Sequence, residues 1–272
     1  MKVFQNQPQI AYRRLQGKSI PAIFFLYRDG AENTEKLTIF GGYFILWATM
    51  TTEKRTVEMI KAIVFDLDGT LLDTVPDIAA ALNRALSACG LPTHAQKTVE
   101  TFLGGGIRDA VMKATPEGTS QEMIERVLNL YRDDYVEHCT EKTTLYDGVR
   151  EMVDEFVARG LTMAVLSNKT ENKARKIVAH FFPNGEFRAV FGRVPERPLK
   201  PHPDAIQPVL DVLGLAPEEI AYVGDSNTDI LFAKAVGMLP VATPWGYRSR
   251  EELVVAGAER IAETPLDLLT LL

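Results

Sequence analysis

The stretch Ile60-Lys61-Ala62-Ile63-Val64-Phe65-Asp66-Leu67-Asp68-Gly69-Thr70 decides how this chain is read. A short apolar run, Ile60 to Phe65, ends in two carboxylates two residues apart. Alternate residues of a strand face the same side, so Asp66 and Asp68 at a strand end can share one substrate or one divalent ion. Gly69 then allows a sharp turn. Such a pair can divide its labour, one acid serving as nucleophile or metal ligand while the other moves protons.

The 272 residues suggest one large domain or two smaller ones, with enough chain to bury a sizeable core. Hydrophobic residues at 46% and charged residues at 24% are ordinary for a globular protein. A net charge of -6 without a basic stripe argues against a nucleic-acid partner, because phosphate backbones require clustered Lys and Arg. Cys89 and Cys139 stand far apart and outside any CxxC pair, so no disulfide framework or zinc site is expected and a reducing cytoplasm fits. The histidines at 94, 138, 180 and 202 show no ligand spacing.

Residues 1–58 differ from the remainder, with eight Lys or Arg against five Asp or Glu. The uncharged stretch Leu37 to Thr52 is broken by Gly41-Gly42 and is short for a membrane span, so no membrane partner is expected. The segment reads as a loosely ordered N-terminal extension, or as an upstream-start artefact with Met50 or Met59 as the beginning. The alternative is a membrane-surface or partner-binding segment using Phe40, Tyr43, Phe44 and Trp47.

From Met59 onward, apolar runs alternate with amphipathic stretches, the pattern of an α/β fold with a Rossmann-like, doubly wound parallel sheet. Strands are expected at 62–65, 162–167, 189–192, 221–224, 240–243 and 260–262. Helices are expected at 148–158, 170–181, 203–213, 228–236 and 249–256. Between Thr74 and Asp147 no convincing strand occurs, and helices at 76–89, 95–102, 107–114 and 120–138 form an all-helical cap. The core is thus 59–74 with 147–272, and the cap, 75–146, is placed to act as a lid.

In an open sheet of this kind, ligands bind beyond the carboxyl ends of the strands. There the sequence offers Ser167 and Asn168, a hydroxyl and an amide, and then Asp225 and Asp229 after Gly224, which suit a hard cation such as magnesium. Lys200, in Leu199-Lys200-Pro201, can neutralise a carboxylate and a bound phosphate.

Asp-x-Asp-Gly-Thr, then Ser167, then Lys200-Pro201, then Gly224-Asp225-Ser226 with Asp229 resembles the haloacid dehalogenase-like hydrolase superfamily at all four of its motifs. The resemblance implies that Asp66 is the nucleophile, forming an aspartyl-phosphate, and that Asp68 is the general acid and base. It further implies that Ser167 and Lys200 hold the transferring phosphoryl group, with Mg2+ on Asp66, the Asp68 carbonyl, Asp225 and Asp229. Thr70 and Asn168 are expected at the substrate.

Asp68 separates the chain from dehalogenases, and Ile78 stands where sugar-phosphate mutases of this architecture place a histidine. The run Phe65 to Ala81, the cap segment Gly104-Gly105-Gly106-Ile107-Arg108-Asp109 and Trp245-Gly246-Tyr247 are similar to phosphoglycolate phosphatases. Gly105 and Arg108 are accordingly expected to meet the substrate. The expected reaction is Mg-dependent hydrolysis of a small phosphomonoester, first 2-phosphoglycolate, then pyrophosphate, nucleotide or sugar phosphates. A phospho-aspartate switch or a binding protein is the other class; Asp68 with the cap argues against the switch, and the presence of all the expected catalytic groups argues against the binding protein.

Overall fold

The structure, a computed structural model, describes residues 60–272 in full and, before them, the strand backbones at 23–29, 34–41 and 44–50. Residues 1–58 and 59–272 form two separate compact units. In the first, β1 (Ile23–Asp29), β2 (Thr34–Gly41) and β3 (Phe44–Met50) pair as an antiparallel meander. The start at Met59, Tyr43 as a docking residue, and the side chains of Phe40, Phe44 and Trp47 lie outside the described residues.

In the second unit, β4 (Ala62–Phe65) leads to β5 (Leu72–Asp73) and then to the helices α1 (Val75–Ala88), α2 (Gln96–Phe102), α3 (Ile107–Ala114) and α4 (Gln121–His138). After these come β6 (Thr144–Leu145), α5 (Val149–Ala158), β7 (Thr162–Thr170), α6 (Glu171–Phe181) and β8 (Ala189–Arg193). The chain ends with α7 (Gln207–Leu213), β9 (Ile220–Gly224), α8 (Asn227–Val236), β10 (Leu239–Ala242), α9 (Arg250–Val255), β11 (Arg260–Ile261) and α10 (Leu268–Leu271). Six parallel strands make one sheet in the order β11-β10-β9-β4-β7-β8.

Strand β4 is central and buried at every position, as a parallel strand covered on both faces must be. Its side chains alternate: Ile63 and Phe65 join the core packed on α1 and α5, while Ala62 and Val64 join the core that includes Phe232 and Ala233 of α8. That two-sided packing is the doubly wound arrangement expected from the alternation of segments.

The segment expected to lack strands contains one. Thr144 and Leu145 pair antiparallel with Asp73 and Leu72, closing the two chain crossings between core and helices. A two-residue strand leaves no period to read, which is why the sequence does not announce it. Next to it, the buried Asp77 accepts hydrogen bonds from the Lys142 N–H, the Thr143 N–H and the Thr143 hydroxyl at 2.8–3.0 Å. The helix expected over 203–213 divides into a 3-10 turn, Pro203–Ile206, and α7, because Pro208 has no N–H to carry an α-helical bond across the join. Among the described residues no helix is long and apolar enough to cross a membrane.

Candidate active site

Strand order builds the site. Phe65 is in register with Val165 of β7 and Val223 of β9, so the residues just past these positions emerge side by side. The Asp66 N–H donates to the Val223 carbonyl at 2.9 Å, tying the first carboxylate to the edge of β9. One strand over, Ser167 is 4% exposed. On β9, the chain passes Gly224 into Asp225 and the Ser226 cap of α8.

Asp66, Asp225 and Asp229 each bring a carboxylate oxygen within 4.8 Å of the others. Lys200 is buried among them: its Nζ lies 2.7 Å from Asp229 Oδ1, 3.0 Å from Asp66 Oδ1 and 2.7 Å from the Tyr222 hydroxyl. The Asp66 contact is an ion pair without hydrogen-bond alignment, so Asp66 Oδ1 is buried with no donor aimed at it.

Burial, countered by Lys200 and reinforced by Asp229 and Asp68, pushes Asp66 up to about 6. Burial and the charges of Asp229 and Asp66 likewise hold Asp225 well above the ordinary carboxylate range. Burial opposes the Lys200 charge, but Asp229 and Asp66 outweigh it and keep the ammonium protonated. A buried, all-oxygen carboxylate set with an orphaned atom fits a hard dication.

The ligand oxygens differ in their commitments. Asp229 Oδ2 accepts from the Ser226 hydroxyl at 2.6 Å and the Ser226 N–H at 3.1 Å, while its Oδ1 serves Lys200, so Asp229 holds the lysine and caps α8. Asp225 accepts from the Thr70 hydroxyl at 3.2 Å and from the Tyr247 N–H at 2.8 Å. Thr70 thus orients Asp225 and does not line the cavity. Gly69 and Gly246 are required here. A Cβ on Gly69, whose φ is +86°, would lie 2.2 Å from Asp225 Oδ2, and one on Gly246 would lie 2.2 Å from the Gly69 carbonyl oxygen.

The side chain of Asp68 stands outside the carboxylate set. Its Oδ1 accepts from the Thr74 hydroxyl at 2.6 Å and pairs with Lys169 Nζ at 3.0 Å, and its Oδ2 has no protein donor among the described residues. Lys169 also donates to the Tyr135 hydroxyl on α4 at 2.9 Å, and Thr74 is 2.9 Å from the Tyr247 hydroxyl. Asn168 lines the cavity but spends its amide on the Lys200 backbone, accepting from its N–H at 2.9 Å and donating to its carbonyl at 3.1 Å.

These groups open into a cavity of about 110 Å3 roofed by Ile78, Leu103, Ile107, Tyr131 and Tyr135 from the helical insert. Gly104 and Gly106 reach it, whereas Gly105 packs its backbone on Asp109 and stays outside the lining. Arg108 is also outside: its guanidinium pairs with Glu125 on α4, within the insert. Two other arginines line the cavity, Arg193 at the end of β8 and Arg248 directly after the Gly-Tyr segment, and Arg248 donates to the Leu103 carbonyl at 2.7 Å.

Among the cavity residues that reading the sequence missed are Lys169, Lys173, Tyr131, Tyr135, Arg193 and Arg248. Lys169 had a visible signal, its place in Ser167-Asn168-Lys169 at a strand end. A shift of register between Leu166 and Thr170 carries it inward.

The model of the haloacid dehalogenase-like hydrolases matches residues 63–243. The chain is 33% identical over 200 residues to the phosphoglycolate phosphatase of Chromobacterium violaceum, covering 71% of this chain and 89% of that one. It is 32% identical over 188 residues to the phosphoglycolate phosphatase of Aquifex aeolicus, covering 69% and 86%. A haloacid dehalogenase-like family hydrolase from Streptococcus pneumoniae superposes with a TM-score of 0.71 at 26% identity, covering 78% of this chain and 98% of that one.

Proposed function

We propose that this phosphatase, which belongs to the haloacid dehalogenase-like hydrolases, uses Mg2+ to hydrolyse 2-phosphoglycolate through an aspartyl-phosphate on Asp66. The observation that carries the proposal is the meeting of Asp66, Asp68, Ser167, Lys200, Asp225 and Asp229 at one cavity. Asp66 and Asp225, with Asp229 supporting, would hold Mg2+, which would supply the positive charge that lets a carboxylate approach a phosphate.

An Asp66 oxygen attacks phosphorus, the ester P–O bond breaks, and the leaving alkoxide takes its proton from Asp68. Thr74 and Lys169 hold Asp68 Oδ1, which leaves Oδ2 to carry that proton. In the second half, Asp68 takes a proton from water as its oxygen attacks phosphorus, and the bond from phosphorus to Asp66 breaks. The Ser167 hydroxyl donates to the phosphoryl group, and Lys200 balances its charge.

The cavity has room for roughly eight waters at about 10–15 Å3 each, enough for a two-carbon acid phosphate. The free cysteines, Cys89 and Cys139, fit a reducing cytoplasm. A phosphate-release screen over small phosphomonoesters, with and without Mg2+, tests the reading. Asp66→Asn is expected to abolish release; release at the wild-type rate would remove the nucleophile assignment. A hit list headed by sugar phosphates would remove the substrate.

A further inference from the structure

Lys200, Lys169 and Arg248 in the cavity all have acceptors: Asp66 and Asp229, Asp68 and Tyr135, and the Leu103 carbonyl. Lys173 has none. It is 7% exposed, yet among the described residues it makes no hydrogen bond and no ion pair. Its Nζ lies instead over the faces of Tyr131 and Tyr135, at 5.5 and 5.4 Å from the ring centroids. Ring faces attract a cation but accept no N–H···O bond, so the hydrogen-bonding capacity of the ammonium stays unmet. Arg193 also lacks an acceptor but is partly exposed, and water can serve it.

The position of Lys173 states what could meet that need. Lys169 lies over the same Tyr135 ring, 4.7 Å from its centroid, and touches Asp68. Lys173 therefore shares the Tyr135 ring with the lysine that pairs with Asp68, the acid assigned to the leaving alcohol. It also occupies the first turn of α6, where unpaired backbone N–H groups favour an anion. Burial and the neighbouring Lys169 charge pull its ammonium down to about 8.

We infer that Lys173 is the specificity-determining residue that binds a carboxylate on the leaving-group side of the substrate, selecting acidic phosphomonoesters over those with an uncharged tail. The inference rests on the phosphomonoester reading above and adds to it the group that recognises the acid.

The test pairs two non-hydrolysable ligands, 3-phosphonopropionate and propylphosphonate, which match in length and differ in the carboxylate. Calorimetry with the full chain and Mg2+ is expected to show wild-type protein preferring the acid by about 10- to 100-fold, the worth of a charged hydrogen bond. Lys173→Met, which keeps the volume against the tyrosines, is expected to reduce that ratio to within about 3-fold, and Lys173→Arg to retain it. The ratio is taken within each protein, so a loss of folded fraction cancels. An absent preference in wild type, or an undiminished ratio in Lys173→Met, would overturn the inference. If the preference depends on Lys173 while wild type releases no phosphate from 2-phosphoglycolate, the inference stands and the substrate assignment falls.

Discussion

Replacing Lys200 by Met tests the electrostatic design of the site. The side chain is 3% exposed and is the cation closest to three crowded carboxylates, two of them within 3.0 Å. Methionine keeps the length and removes the charge, leaving Asp66, Asp225 and Asp229 to repel one another in a buried setting. Removing one partner of a buried ion pair costs about 3–5 kcal/mol. For a unit of this size each kcal/mol shifts Tm by about 2–4 °C, so metal-free Lys200→Met is expected to melt about 6–20 °C below wild type at pH 7.

The deficit has a definite pH dependence. Asp66 already sits at about 6, and without Lys200 its carboxyl moves further up. Protonation at pH 5 therefore relieves the repulsion, and the gap from wild type narrows; Mg2+ at pH 7 narrows it as well. Thermal unfolding by circular dichroism at both pH values, with and without Mg2+, measures this directly. A Tm within 2 °C of wild type at pH 7, or a gap unchanged at pH 5, would refute the reasoning. Asp229→Asn in the same background is expected to restore part of the loss, as coupled neighbours do.

Asp68→Asn keeps the shape of the side chain but can neither give nor take the proton, so phosphate release is expected to fall about 10²- to 10⁴-fold with the fold intact. A folded-state value of about 6 for Asp66 means that its contribution to metal-free stability is fully present below 3.8 and lost as pH rises through about 6. Mg2+ must displace that proton, so calorimetry should find binding about tenfold weaker at pH 5 than on the plateau above pH 7; a flat profile would contradict the assignment. Asp77→Ala leaves the buried Thr143 N–H and the partly buried Lys142 N–H of the β6 approach without an acceptor, and denaturant unfolding is expected to show a loss of about 1–3 kcal/mol. Arg108→Ala only opens a surface pair with Glu125, and KM for the substrate is expected to stay within about 2-fold of wild type.

The four motifs were legible because each consists of residue types with few structural uses at a strand end. Asp66, Asp68, Ser167, Lys200, Asp225 and Asp229 all line one cavity. The helical insert was legible from its 3.6-residue period. Arg108 and Gly105 were assigned from a local glycine pattern, and such a pattern does not say which arginine faces the cavity. Arg108 has Glu125 across the next helix, while Arg248, far along the chain, fills the place.

Sequence alone determined the alternation of strands and helices, the residue types at the strand ends and the position of the helices between β4 and α5, because these follow from local period and residue type. Tertiary structure decided the rest: that β4 lies between β7 and β9, that Asn168 holds Lys200 and Thr70 holds Asp225, and that Lys173 lies buried beneath Tyr131 and Tyr135. The physical reason is that parallel pairing joins segments far apart in the chain, and which side chain meets which is fixed only once those strands are in register.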